Sequence, residues 1–174
     1  MTKRDDKKFR RLERDSYDTP ESAVQPLLKY LGKDTTYCEP CAGKGNLISN
    51  LKGYICEVAY DIAPRNSGII KKDALILISN DLHGADYIIT NPPWDRKLLH
   101  PLIEHFRKLA PTWLLFDSDW MHTLQAEWML LYCKKIVSIG RVSWMENGVS
   151  GFDNCAWYLF VDYPTVTVFH GREK

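Results

Sequence analysis

The chain has 174 residues, room for one domain with a sizeable core and too few for two ordinary ones. Its 45% apolar and 26% charged residues exclude wholesale disorder, collagen-like repeats and a disulfide scaffold, and no apolar run approaches the roughly 20 residues of a membrane-spanning helix. The net charge of +1 predicts no polyanionic partner in bulk, yet residues 1–15 carry seven basic side chains (Lys3, Arg4, Lys7, Lys8, Arg10, Arg11, Arg14) against four acidic ones. That basic arm reads as flexible and residues 16–174 as one unit. The polar start holds no secretory core, so a soluble cytoplasmic protein without a membrane partner is expected. Five cysteines, an odd number without an export signal, read as reduced thiols. Cys38 and Cys41 lack a second ligand pair at zinc spacing, and no metal is expected.

In chain order, Thr19-Pro20-Glu21 sets a capping hydroxyl before a proline at the first helical position and predicts a helix through Leu31, with Pro26 a candidate kink. Thr36 to Glu39 reads as a strand, Pro40 to Gly45 as a glycine-bearing turn and Asn46 to Leu51 as a helix start. A second strand, Ile55 to Tyr60, ends on Asp61, and a helix or loop follows near Leu75 to Asn80. The strand Asp86 to Thr90 ends on Asn91, where Pro92-Pro93 forbids its continuation. Leu98, Leu102, Ile103, Phe106 and Leu109 mark one helix face, Thr112 to Phe116 a buried strand and Trp120 to Tyr132 a helix, with Trp113, Trp120 and Trp128 in the core. Lys135 to Trp144 and Cys155 to Tyr163 read as strands joined by the loop Glu146 to Asp153. This alternation predicts an α/β fold: a three-layer αβα sandwich around a Rossmann-like, mostly parallel, seven-stranded sheet with a closing antiparallel hairpin. Ligands in such sheets bind at the carboxyl ends of the strands, where Glu39, Asp61 and Asn91 each sit.

Three motifs at those ends carry chemistry. In Glu39-Pro40-Cys41-Ala42-Gly43-Lys44-Gly45 the glycines let the backbone turn tightly and approach a ligand, and the next helix offers free N–H groups. Taken alone, such a turn can equally be an ordinary strand-to-helix connection. Asp61, about 20 residues on, suits the hydroxyls of a ribose. Asp73, followed by Ala74, reads either as a partner for an adenine amine or as a helix cap. Asn91-Pro92-Pro93-Trp94 places a side-chain amide, the Pro92 carbonyl and an aromatic face at one point. An amine conjugated to a base is a poor nucleophile. Hydrogen bonds from its two hydrogens to the Asn91 oxygen and the Pro92 carbonyl push the nitrogen toward tetrahedral geometry and release its lone pair. Stacking of the base on Trp94 is worth about 1–3 kcal/mol.

Tyr17-Asp18-Thr19-Pro20, the glycine turn, Asp61, Asp73 and Asn91-Pro92-Pro93-Trp94 stand in the order of the motifs of class I S-adenosylmethionine-dependent amino-methyltransferases. Over about residues 16–163 the chain most resembles the adenine-N6 DNA methyltransferases, particularly the small phage-type ones. The resemblance implies S-adenosyl-L-methionine as cofactor. It gives the methionine part to Tyr17, Thr19, Glu39 and the turn Pro40, Cys41, Ala42, Gly43 and Gly45, the ribose to Asp61, the adenine to Ile62, Asp73 and Ala74, and the target amine to Asn91 through Trp94. It likewise places the stretch Trp144 to Trp157 beside the target pocket. Only 83 residues follow Asn91, so no large target-recognition domain is expected, and sequence specificity would be short, absent or supplied by a partner. DNA is the favoured substrate and RNA an alternative, the basic arm meeting phosphates or remaining a solvated terminus. Methylation of a protein glutamine, or an inactive cofactor-binding subunit, are the competing readings.

Overall fold

The computed structural model describes residues 17–145 and 151–173. Eight strands, β1 (Thr36–Glu39), β2 (Ile55–Asp61), β3 (Ile70–Lys71), β4 (Tyr87–Thr90), β5 (Thr112–Asp117), β6 (Cys133–Arg141), β7 (Asn154–Phe160) and β8 (Val168–His170), form one sheet in the order β3-β2-β1-β4-β5-β7-β6-β8. Strand β7 runs antiparallel to β5 and β6, and every other pairing is parallel. The expected closing hairpin is therefore β6 and β7. The sheet exceeds the expected seven strands because β3 and β8 are short, exposed edge strands with no buried periodicity to announce them.

Side chains alternate across a strand, and the central strands are apolar on both faces, so each face must be covered by helices. In β5, Leu114 and Phe116 join one core and Trp113 and Leu115 the other. The second core is closed by α1 (Glu21–Leu28) and α2 (Asn46–Asn50) through Val24, Leu27 and Leu47. The first is closed by α3 (Arg96–Leu109) through Leu102, Ile103 and Phe106, joined by Met129 of the short α4 (Glu127–Leu130). The three-layer sandwich read from the alternation is the observed architecture.

Local readings differ at four places. Pro20, not Thr19, is the N-cap of α1, which frees the Thr19 hydroxyl for another partner. Beyond Leu28 the chain tightens into i to i+3 turns, Tyr30 N–H to Leu27 O and Leu31 N–H to Leu28 O, so the helix stops short of the expected Leu31. Residues near Leu75 to Asn80 form two 3₁₀ turns, Ala74–Ile76 and Ser79–Leu82. The single helix expected over Trp120 to Tyr132 is instead two 3₁₀ turns, Ser118–His122 and Leu124–Ala126, followed by α4. The cause is local: the Thr123 hydroxyl donates to Trp120 O at 2.8 Å, competing with the helical ladder. Trp128, expected in the core, is 45% exposed on this broken segment. The basic arm lies outside the described residues, as do residues 146–150 of the late loop.

Candidate cofactor and amine site

The strand order reverses at β1: β2 lies on one side of it and β4 on the other, both parallel to it. This switch point is where an open α/β sheet leaves a crevice. A cleft opens there, enclosing about 950 Å³ with its open mouth included. Of the residues singled out in the sequence, Tyr17, Thr19, Glu39, Pro40, Cys41, Ala42, Gly43, Asp61, Ile62, Asp73, Ala74, Asn91 and Pro93 line it. Gly45, Pro92 and Trp94 do not. Asp18, Asn46, Leu47, Ala63, Arg65, Leu75, Leu98 and Leu102, to which sequence reading assigned no site role, lie on the same wall. Asp18 sits between two residues already named, whereas Arg65 carries no local signal.

Asp61 organises the cleft through both carboxylate oxygens. Oδ2 accepts the Gly43 N–H and Oδ1 the Ala63 N–H, each at 2.7 Å, tying the glycine turn to the loop after β2. That turn is closed by Gly45 N–H to Ala42 O at 2.7 Å. Gly43 adopts φ +55°, a left-handed conformation that calls for glycine, and it leaves room for Arg65 Nη2 3.0 Å from where a Cβ would stand. Arg65 in turn donates its N–H to Gly43 O at 2.9 Å and its guanidinium to Asp18 Oδ1 at 2.6 Å, bridging the N-terminal segment to the turn. Asp73 caps the turn Ala74–Ile76, its Oδ1 accepting from Leu75 N–H at 2.9 Å. The cap reading of Asp73 is thus realised, in a residue that also faces the cleft.

The lining carries more acidic groups than basic ones. Four carboxylates (Asp18, Glu39, Asp61, Asp73) face one guanidinium, Arg65, which already pairs with Asp18. Glu39 is 2% exposed, and its Oε2 has no hydrogen-bond partner among the described residues. Burial, reinforced by the Asp61 charge, holds its carboxyl well above the ordinary carboxylate range.

Asn91 closes the far side. Its Nδ2 donates to Thr19 Oγ1 at 3.2 Å, and its Oδ1 accepts from Trp94 Nε1 at 3.2 Å. The same indole N–H reaches Leu115 O at 3.2 Å. The Trp94 ring meets Trp144 edge-on at 5.5 Å and 78°, and Trp144 lies 6.0 Å from Tyr17. Trp94 is therefore a half-buried, hydrogen-bonded ring packed on a second indole. Trp157, implied by the resemblance to lie by the target pocket, is fully buried beneath α1, donating to Ala23 O at 2.8 Å. Of the late aromatic pair, Trp144 meets the Trp94 ring edge-on.

No protein-family model matches the chain. The type II methyltransferase M.VspI of Vibrio sp. (strain 343) is 34% identical over 103 aligned residues, covering 46% of this chain and 25% of that protein. The chain thus spans about a quarter of the length of this curated relative. Among solved structures, a protein of Listeria monocytogenes assigned as a class I S-adenosylmethionine-dependent methyltransferase superposes with a TM-score of 0.53 at 11% identity, covering 90% of this chain and 66% of that one. The methyltransferase subunit of a type I restriction-modification system from Streptococcus thermophilus gives 0.57 at 8% identity, covering 90% and 47%. At these identities what the chain shares with these methyltransferases is the fold.

Proposed function

We propose that the chain transfers the methyl group of S-adenosylmethionine to the N6 amine of adenine in nucleic acid, DNA in preference to RNA. The observation that carries this reading is the continuity of one cleft from the glycine turn and its carboxylates to Asn91. The lining fits the cofactor on physical grounds: a molecule bearing a sulfonium and an ammonium suits a cleft with an excess of carboxylates and a buried Glu39 oxygen lacking a partner. When bound, S-adenosylmethionine supplies an electrophilic methyl group.

The chain's own residues do the rest. Glu39, with Tyr17 and Thr19, holds the methionine part; Asp61 accepts from the ribose hydroxyls; Asp73 and Ile62 receive the adenine. Asn91 Oδ1 and the Pro92 carbonyl accept the two hydrogens of the target amine, which draws its lone pair out of conjugation and aims it at the cleft. Trp94 borders that amine. Transfer to a neutral amine activated in this way calls on no strong general base. The stretch shared with the Vibrio type II methyltransferase, together with the fold shared with the methyltransferase subunit of a Streptococcus restriction-modification system, supports DNA as the polymer and a further subunit as a partner. A base inside a duplex must first be flipped out, at a cost of a few kcal/mol that is least for single strands.

The test is transfer of labelled methyl to single-stranded DNA, duplex DNA and RNA, with the modified base located by mass. N6-methyladenine in DNA is expected. Intact cofactor binding with no label in any polymer would instead make the chain a non-catalytic subunit, and label on protein glutamine would move the substrate class. Asn91→Ala should cut turnover about 10²–10³-fold, the scale of losing one positioned hydrogen-bonding group, while leaving cofactor affinity nearly unchanged. Deleting residues 2–14 should weaken DNA binding and flatten its salt dependence.

A further inference from the structure

The Asn91 amide is gripped from both sides, and the chemistry of its partners decides which way it faces. An indole N–H only donates, so the atom it meets at 3.2 Å is the amide oxygen. The amide nitrogen then donates to Thr19 Oγ1 at 3.2 Å. Neither partner is loose. Thr19 is buried, and its carbonyl accepts from Asn50 Nδ2 at 3.0 Å. Trp94 shares its N–H with Leu115 O at 3.2 Å and rests on the Trp144 ring.

We infer that Thr19 and Trp94 are positioning residues, clamping the Asn91 amide so that Oδ1 rather than Nδ2 is presented to the target amine. This rests on the methyl-transfer reading above. A carbonyl oxygen has two acceptor sites; Trp94 uses one, and the other remains for the amine. An amide turned the other way would set its NH₂ donors against the donors of the amine and give no activation. The clamp also explains why Thr19 does not cap α1: its hydroxyl serves Asn91. Because Thr19 lines the cofactor cleft as well, the same residue joins cofactor site and amine site.

The experiment compares wild type, Thr19→Val, Thr19→Ser and Trp94→Phe by two readouts. In single-turnover methyl transfer at saturating S-adenosylmethionine, Thr19→Val and Trp94→Phe should each lose about tenfold, the worth of one orienting hydrogen bond, and Thr19→Ser should stay close to wild type. In proton–nitrogen correlation spectra, Thr19→Val should shift the Trp94 indole N–H signal, because the two residues share the Asn91 amide, and Thr19→Ser should restore it. A Thr19→Val protein with wild-type rate at saturating cofactor, or an unmoved indole signal, overturns the clamp while methyl transfer stands. A wild type that transfers methyl to no polymer overturns the functional reading itself, and with it any positioning role.

Discussion

Glu39 is the residue whose environment has the clearest consequence. Its carboxyl is buried beside Asp61 and is held well above the usual range, so in the ligand-free cleft it tends to keep its proton. If the ammonium of S-adenosylmethionine meets Glu39 as proposed above, binding favours the carboxylate and releases that proton. Affinity for S-adenosylmethionine should rise with pH, and calorimetry in buffers of different ionisation enthalpy should show net proton release; Glu39→Gln should remove both and weaken binding about tenfold. The stability sign follows from linkage. The folded state binds this proton more tightly than the unfolded chain, so the group's contribution is lost as pH rises above the ordinary carboxyl value of about 4.3. Glu39→Gln should accordingly raise Tm over wild type more at about pH 8 than at about pH 5. The sequence marks Glu39 as a strand-end carboxylate, but its burial is a product of the segments that share the cleft with it, and these come from distant parts of the chain.

At the scale of elements, a second network, of residues outside the cleft lining, supports the sheet. Arg107, in the last turn of α3, is buried with Nη1 on Asp162 at 2.8 Å, Nε and Nη2 on Glu104 at 2.9–3.0 Å, and its guanidinium 3.8 Å from the Tyr132 ring centre. It fastens α3 to the segments that follow α4 and β7. Asp162 is largely exposed and rehydrates when unpaired, so Arg107→Ala should cost about 2 kcal/mol rather than the full penalty of a stranded buried charge. Calorimetry should show Tm lower by roughly 4–8 °C, at about 2–4 °C per kcal/mol, with cofactor affinity unchanged. A matching loss of affinity would mean that α3 transmits strain to the cleft through Leu98 and Leu102. The same helix shows what periodicity can reveal: its apolar face was legible in Leu102, Ile103 and Phe106. The segment after β5 was not, because Thr123 diverts its hydroxyl to a backbone carbonyl and stops a helix that the apolar spacing favours.

For the whole molecule, sheet order sets the hierarchy of stability. The six inner strands are paired on both sides, with the central β1, β4 and β5 flanked by two cores, whereas β3 and β8 are edges. Hydrogen exchange should be slowest in β4 and β5 and fastest in β3 and β8. Adding S-adenosylmethionine should protect residues 17–19, 40–45, 61–65 and 73–75 together. Protection confined to the glycine turn would show that the four segments do not form one binding site.

The sequence by itself determined the fold class, the strands that end on Glu39, Asp61 and Asn91, and the turn that needs Gly43, because these depend on short-range periodicity and backbone chemistry. Only the tertiary structure decided the functional pairings. Asp18 meets Arg65 across 47 residues of chain and Thr19 meets Asn91 across 72, contacts that exist only once β1 lies between β2 and β4. The same long-range packing buried Trp157 under α1 and set Trp144 against Trp94. Side chains of one type, read alike along the chain, acquire opposite roles when the layers close, because burial and partner are properties of the assembled sheet.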